Sequence, residues 1–359
     1  MQCKVLQQSD LDSNLWDTFV LSNSMGWAYY LYDMIGVDRE STYKNLSFAI
    51  VDIENNNEIL FIMQLHYFEE RPIKKAFLIK EKKLSSRWGF VIKDNLPKKQ
   101  LRLIKECFEN HIDSYIQEHH IRSFEINLPP LTDANLNNIK AINPLIFFNF
   151  KPSIRYTYVV DLSKPDDRLL ADCEETTRQA IRKLDASNKY IIREAEACEE
   201  DCNIFIKLHK ETYTRTNAKS DIIEDSYHHH MFFTLIPKKI CRVFFLVDKE
   251  TKNVVASVAI LIYKKTAYYW WGDSKNEKEI GVNKYLLFKV IYLIRDSFEK
   301  TGLFETGGAY PYLRKGKYKG LNDFKKCFGT SLYIIWGGTY SIPISSLKLR
   351  IKKILQMNN

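Results

Sequence analysis

Apolar and polar positions follow the same order twice along this chain. In the first half SFAIVD (47–52) reads as a strand, ENNNE as a polar turn, ILFIMQLHYF (59–68) as a second strand and KKAFLIK (74–80) as a third. In the second half CRVFFLVD (241–248), the turn KETKN, VVASVAILIY (254–263) and TAYYWWGD (266–273) repeat that order, with a Val-Asp pair closing the first strand in both. A helical period follows each meander. Leu101, Ile104, Phe108, Ile112 and Tyr115 recur at three- and four-residue steps within 97–119, behind Pro97, and Leu286, Val290, Ile291, Ile294 and Phe298 do so within 283–300. A further strand comes next, SFEINLP (123–129) or LFETGG (303–308). The pattern predicts a tandem α+β protein, each half a mixed, mainly antiparallel sheet flanked by helices.

The seam falls near 145–155, where Pro144 and Pro152 bracket an apolar FFNF before the strand RYTYVVDL (155–162). The expected domains are 1–150 and 151–345. Residues 346–359 form a basic amphipathic tail, with Leu347, Ile351, Ile354 and Leu355 on one side. That tail suits the acidic inner face of a membrane or the surface of the second domain.

Composition narrows the classes. At 359 residues the chain exceeds the usual single core, and 45% hydrophobic residues suffice for two. A formal charge of +9 favours an anionic partner, leaving open whether that is nucleic acid, a phosphorylated metabolite or a membrane. The opening MQCKVLQQSD lacks the apolar core of a signal peptide and no long apolar run occurs, so a cytoplasmic location is expected. Seven scattered cysteines make a poor disulfide framework and are read as reduced thiols. Cys198 and Cys202 lack metal partners at zinc-site spacing, and His228, His229 and His230 read as a polar patch opening the segment MFFTLIP. No metal or redox cofactor is implied.

Strands, a loop, a helix and a further strand are the plan of the GNAT acyltransferases, and two in tandem resemble the FemAB-like family. The resemblance covers nearly the whole chain. It rests on LWDTFVLSNSMGWAYYLYDM (15–34), SSRWGFVIKD (85–94), TYVVDLSKPDDRLLADCEETTRQAIRKL (157–184), GVNKYLLFKVIYLIRDSFEKTGLFETGG (281–308) and GLNDFKKCFG (320–329). It implies transfer of an acyl or aminoacyl group, from acyl-CoA or aminoacyl-tRNA, to an amino group on a cell-wall (peptidoglycan) or surface-glycan precursor. Three departures stand out. Phe90 follows Gly89 where the family usually has proline, an inserted coiled-coil arm is missing, and Leu128 in FEINLPP replaces the aspartate that aminoacyl-transferring relatives offer as a candidate base.

Acyl transfer to an amine needs aligned reactants, a proton acceptor, a donor for the developing oxyanion and anchors for phosphates. Lys278, Gly281 and Asn283 in KEIGVN form a degraded version of the GNAT pyrophosphate turn at a helix N-terminus. Arg178 and Arg182 share a helix face beside Lys183, offering a second anion site. Gly307 and Gly308 leave room for a ligand at the backbone, followed by a loop with Arg314, Lys315, Lys317 and Lys319 suited to cover it. Phe324 and Phe328 are expected to anchor the next turn and aim Lys325 inward, where the resemblance makes it a candidate for stabilising charge at the carbonyl. Asp273 and Glu305 are the candidate proton acceptors. Tyr268, Tyr269, Trp270 and Trp271 are expected to alternate between core and cleft, Trp271 being a candidate substrate contact. The competing reading is a non-catalytic RNA or single-stranded nucleic-acid binder.

Overall fold

The computed structural model describes residues 1–35, 44–70, 81–216, 225–275, 281–313 and 315–342. The strand expected at 74–80, the side chains of Lys278 and Arg314, and the tail at 346–359 lie outside the described residues. Two compact units make up the chain: Met1–Ile154 together with the chain from Ile335 onward, and Arg155–Ile334.

In the first unit β1 (Cys3–Gln7) pairs with β3 (Phe48–Asp52), β3 with β4 (Glu58–Met63) and β4 with β7 (Phe90–Ile92), all antiparallel. A short strand, β2 (Lys44–Asn45), pairs with β5 (His66–Glu70). The run 59–68, read as one strand, is two: β4 ends at Met63 and β5 pairs instead with β6 (Glu81–Ser86). Gln64 and Leu65 turn away between them, with Gln64 N–H bonded to Gly89 O and Leu65 N–H to Ser47 Oγ. Helix α1 (Lys98–His119) buries Ile104, Phe108, Ile112 and Ile116 against Phe48, Phe61, Phe124 and Phe148. β8 (Ser123–Asn127) then lies parallel to β6. Gly89, at φ +87°, turns the chain from β6 into β7 under a reciprocal pair of hydrogen bonds with Ser86. Leu128 is buried in this core, and its side chain fills the space a Cβ at Gly89 would need.

The second unit repeats the plan. β10 (Tyr190–Glu194), β11 (Cys241–Asp248), β12 (Val254–Tyr263) and β13 (Thr266–Ser274) form an antiparallel run. Helix α5 (Val282–Ser297) follows, then β14 (Leu303–Ala309), parallel to β13 and antiparallel to β9 (Phe150–Asp161). The basic segment after β9 forms two helices, Asp166–Ala171 and α2 (Glu175–Ser187), separated at Asp172–Glu174. Helices α3 (Glu199–Arg215) and α4 (Asp225–His230) come between β10 and β11. Helix α6 (Lys317–Lys326) precedes the last strand, β15 (Ser331–Tyr340). From Ile335 on, β15 belongs with the first unit, because Gly337–Thr339 pair with Glu125–Asn127 of β8. The sequence reading placed those residues in a domain spanning 151–345. Among the described residues no helix is long and apolar enough to cross a membrane.

One core of the second unit lies where α2, α5 and the turn after α6 cover the sheet, through Val160, Leu184, Leu246, Val258, Ala267, Leu286, Ile291, Phe304 and Phe328. Arg295 of α5 is buried there. It donates to Leu162 O (2.9 Å) and Lys164 O (2.7 Å) and pairs with Asp166, so the charge is held by three acceptors.

Candidate functional site

β13 and β14 begin as neighbours and then part. Their parallel register runs Thr266 to Leu303, Ala267 to Phe304 and Tyr268 to Glu305, and ends there. β13 continues to Ser274 along β12, and β14 to Ala309 along β9. The second unit therefore has a fork whose two inner edges carry backbone groups available to an extended ligand.

Two bulges shape the fork. In β13, Trp271 pairs with Ala259 and Tyr269 with Ile260, so Trp270 is an extra residue. Simple alternation of the four aromatics fails here. Trp270 packs on Tyr227 of α4 (5.7 Å between centroids) and Trp271 on His209 of α3 (5.0 Å), so each tryptophan meets a helix. Tyr269 instead meets Phe324 at 6.1 Å on the α5 side, where burial pushes its phenol well above the usual range. In β14 the extra residue is Thr306. Its hydroxyl lies 3.2 Å from Tyr158 O and 3.3 Å from Lys325 O, tying α6 to the strand.

Gly307 follows that bulge at φ +93°, in the region only glycine enters without strain. A Cβ placed on it would lie 2.9 Å from Lys325 Nζ and 3.8 Å from Tyr268 Oη. The missing side chain thus makes the space into which the ammonium reaches, and Nζ also donates to Gly308 O at 3.3 Å. A Cβ on Gly308 would meet nothing within 4 Å, so open space adjoins the backbone there. Phe324 and Phe328, in edge contact at 5.6 Å, hold the turn that presents Lys325. Glu305 is buried at 1% exposure and accepts a hydrogen bond from Thr157 Oγ1 (2.7 Å). Since Ala267 and Phe304 enter the α5-side core, strand alternation directs their successors Tyr268 and Glu305 to the other face.

Asp273 has a partner that sequence reasoning missed. Both of its carboxylate oxygens lie within hydrogen-bond reach of His209 Nδ1, at 3.2 and 3.1 Å, and both side chains are buried. The available signal was position: in NIFIKLHKETY, His209 stands four residues after Phe205, on the helix face that also buries Ile206 and Leu208. His228 is likewise buried, its ring 4.9 Å from that of His209, instead of belonging to a polar surface patch.

The described anion-anchor candidates lie on α2 and at the start of α5. Arg178 spends Nη1 on Ala171 O (3.1 Å) and Cys173 O, stapling the break before α2, while Arg182 and Lys183 are exposed. Gly281, at φ +104°, lets the start of α5 lie against Ala180 of α2, to which a Cβ would come within 2.9 Å. Asn283 Nδ2 donates to Ser274 Oγ (2.9 Å), joining the start of α5 to the end of β13. Arg215 adds a hydrogen bond to Ser274 O at 3.0 Å. Among the described residues no group of three or more His, Cys, Asp or Glu side chains could hold a metal ion.

Comparison with known proteins agrees with the fold. Residues 171–295 match the family model of an acetyltransferase (GNAT) domain. The solved structure of FemX is similar at 16% identity with a TM-score of 0.61, covering 94% of this chain and 97% of that one. The chain has the tandem GNAT fold. A domain assigned to a lysylphosphatidylglycerol synthetase of Agrobacterium fabrum is similar at 11% identity, TM-score 0.56, covering 97% of each chain. A tandem GNAT protein from the clavulanic acid biosynthesis pathway follows at 10% identity, TM-score 0.52, covering 94% of this chain and 98% of that one. No curated protein sequence matches the chain.

Proposed function

We propose that the second unit of this FemAB-like protein transfers an acyl or aminoacyl group from an activated donor to an amine on a cell-envelope precursor. The observation that carries the reading is the β13–β14 fork with Lys325 Nζ set beside Gly307 and hydrogen-bonded to Gly308 O. An extended donor arm can bond to the backbone edges of the fork, while the ammonium lies where negative charge develops on the acyl oxygen. The GNAT match supports an acyl-CoA donor, whose pyrophosphate would meet the start of α5 beyond Gly281. FemX and the lysylphosphatidylglycerol synthetase domain support an acceptor in the cell wall or membrane, with charged tRNA as the other donor. Leu128, buried where aminoacyl-transferring relatives offer a carboxylate, weighs towards acyl-CoA.

Direct attack by the amine fits better than a covalent acyl-enzyme. Burial pushes the thiol of Cys173 up to about 12 and also raises that of Cys327, two residues from Lys325, so neither supplies a thiolate near neutral pH.

The test is incubation with labelled acetyl-CoA and, separately, charged tRNA, each offered nucleotide-linked amino sugars, muropeptides and phosphatidylglycerol vesicles. Label in one acceptor is expected. No label in any acceptor, with steeply salt-dependent RNA binding, would replace this reading by a nucleic-acid binder.

A further inference from the structure

An amine that attacks an acyl carbonyl must lose a proton, and the face of β13 turned towards α3 holds a group arranged to take it. We infer that His209 is the proton acceptor of the transfer and that Asp273 positions it. This rests on the transfer reading above.

The geometry sets the state of the ring. An ionised carboxylate only accepts hydrogen bonds, so with Asp273 oxygens 3.2 and 3.1 Å away the proton sits on Nδ1 and the lone pair on Nε2. Nε2 is buried and has no hydrogen-bond partner among the described residues, in a residue only 4% exposed. Buried polar atoms in native proteins are nearly always satisfied, and an exception calls for a reason. A base kept ready for a proton is one.

Position supplies the second argument. Asp273 and Trp271 lie on the part of β13 that has already left β14. Trp271 is half-buried and meets the imidazole edge to face at 5.0 Å, so a partly exposed ring of the fork's β13 arm lies directly against the dyad. The titratable groups facing the imidazole are Asp273 from β13, His228 from α4 and Tyr213 from its own helix, whose ring is 4.2 Å away. β12 contributes Ser257, the register partner of Asp273, and no charged residue.

In the step itself the amine nitrogen forms a bond to the acyl carbon of a thioester or ester donor. The donor's C–S or C–O bond breaks with its electron pair on sulfur or oxygen. The proton released by the amine passes to Nε2, and the imidazolium returns it to the leaving group.

The experiment compares unaltered protein, His209→Asn, His209→Gln and Asp273→Asn in the labelled-donor assay across pH, together with melting temperatures and the nitrogen-15 spectrum of the histidines. Asparagine can still offer an N–H to Asp273 but cannot act as a base. His209→Asn should therefore melt near the unaltered protein yet lose about 10²- to 10⁴-fold in kcat, with KM little changed, and lose the acidic limb of the pH profile. The spectrum should show His209 protonated on Nδ1, and Asp273→Asn should disturb that tautomer. A well-folded His209→Asn or His209→Gln protein that keeps its rate and its pH profile, or a His209 protonated on Nε2, would overturn this inference alone. Absence of transfer by the unaltered protein would overturn the transferase reading, and this one with it.

Discussion

Gly307 and Gly308 are adjacent on β14, and the structure predicts opposite outcomes for the same substitution. An alanine at Gly307 must hold φ near +93°, a region that costs a residue with a Cβ about 1–3 kcal/mol. Its Cβ would also lie 2.9 Å from Lys325 Nζ, and since that atom ends a flexible chain it would be displaced by a few tenths of an ångström, away from its place beside Gly308 O. Gly308 has no such backbone demand, and its new Cβ would meet nothing within 4 Å. Gly308→Ala should stabilise by about 0.4–1 kcal/mol, through the lower entropy of the unfolded chain. For a cooperative unit of this size the Gly307→Ala loss is about 2–12 °C in Tm, while Gly308→Ala should rise slightly. Thermal unfolding of the two variants and the unaltered protein decides the matter. Equal melting temperatures, or a Gly307→Ala variant more stable than Gly308→Ala, would refute the backbone argument. The open space carries a further consequence: if a ligand approaches Gly308, its alanine variant should weaken donor binding without loss of stability.

Lys325→Met should keep the melting temperature within about 2 °C and lower transfer by about 10²- to 10³-fold, the range seen when one oxyanion donor is removed; an unchanged rate counts against the site. Arg295→Met leaves Leu162 O and Lys164 O without their shared donor and should cost about 1–3 kcal/mol for each carbonyl left unpaired, read by denaturant titration. His66 is held neutral by burial, which lowers its pKa from 6.5 to about 4 against the opposing hydrogen bond to the Ile35 carbonyl. The unfolded chain binds the proton first as pH falls, so stability is full above about 6.5 and drains away down to about 4, by up to about 3 kcal/mol. His66→Gln should flatten that part of the stability–pH curve, and an unaltered slope would show the group to be solvated.

Much of the architecture was readable because each half writes its elements in two clear periods. The alternating runs 241–248 and 254–263 are strands with those bounds, and the three- and four-residue steps behind Pro97 and before Phe298 are the helices α1 and α5. Periodicity records which residues are buried, and burial is imposed locally by a sheet face or a helix stripe. It does not record partners. The run 59–68 is mostly apolar, yet Met63 and His66 pair with different strands, a choice made by β6 and β7 from beyond the next turn. The bulge at Trp270 is equally silent in the sequence, because it exists only as a mismatch in count between β13 and β12. Lys325 could be marked from its setting between Phe324 and Phe328, and Gly307 from its missing Cβ, but only the β14 bulge and the hydrogen bonds of Thr306 bring the two together. His209 is 64 residues from Asp273, and nothing along the chain couples them. Local residue choice thus determined the elements and the chemistry on offer, and tertiary pairing decided which groups share a site, because distance in space depends on strand register and on where a sheet divides.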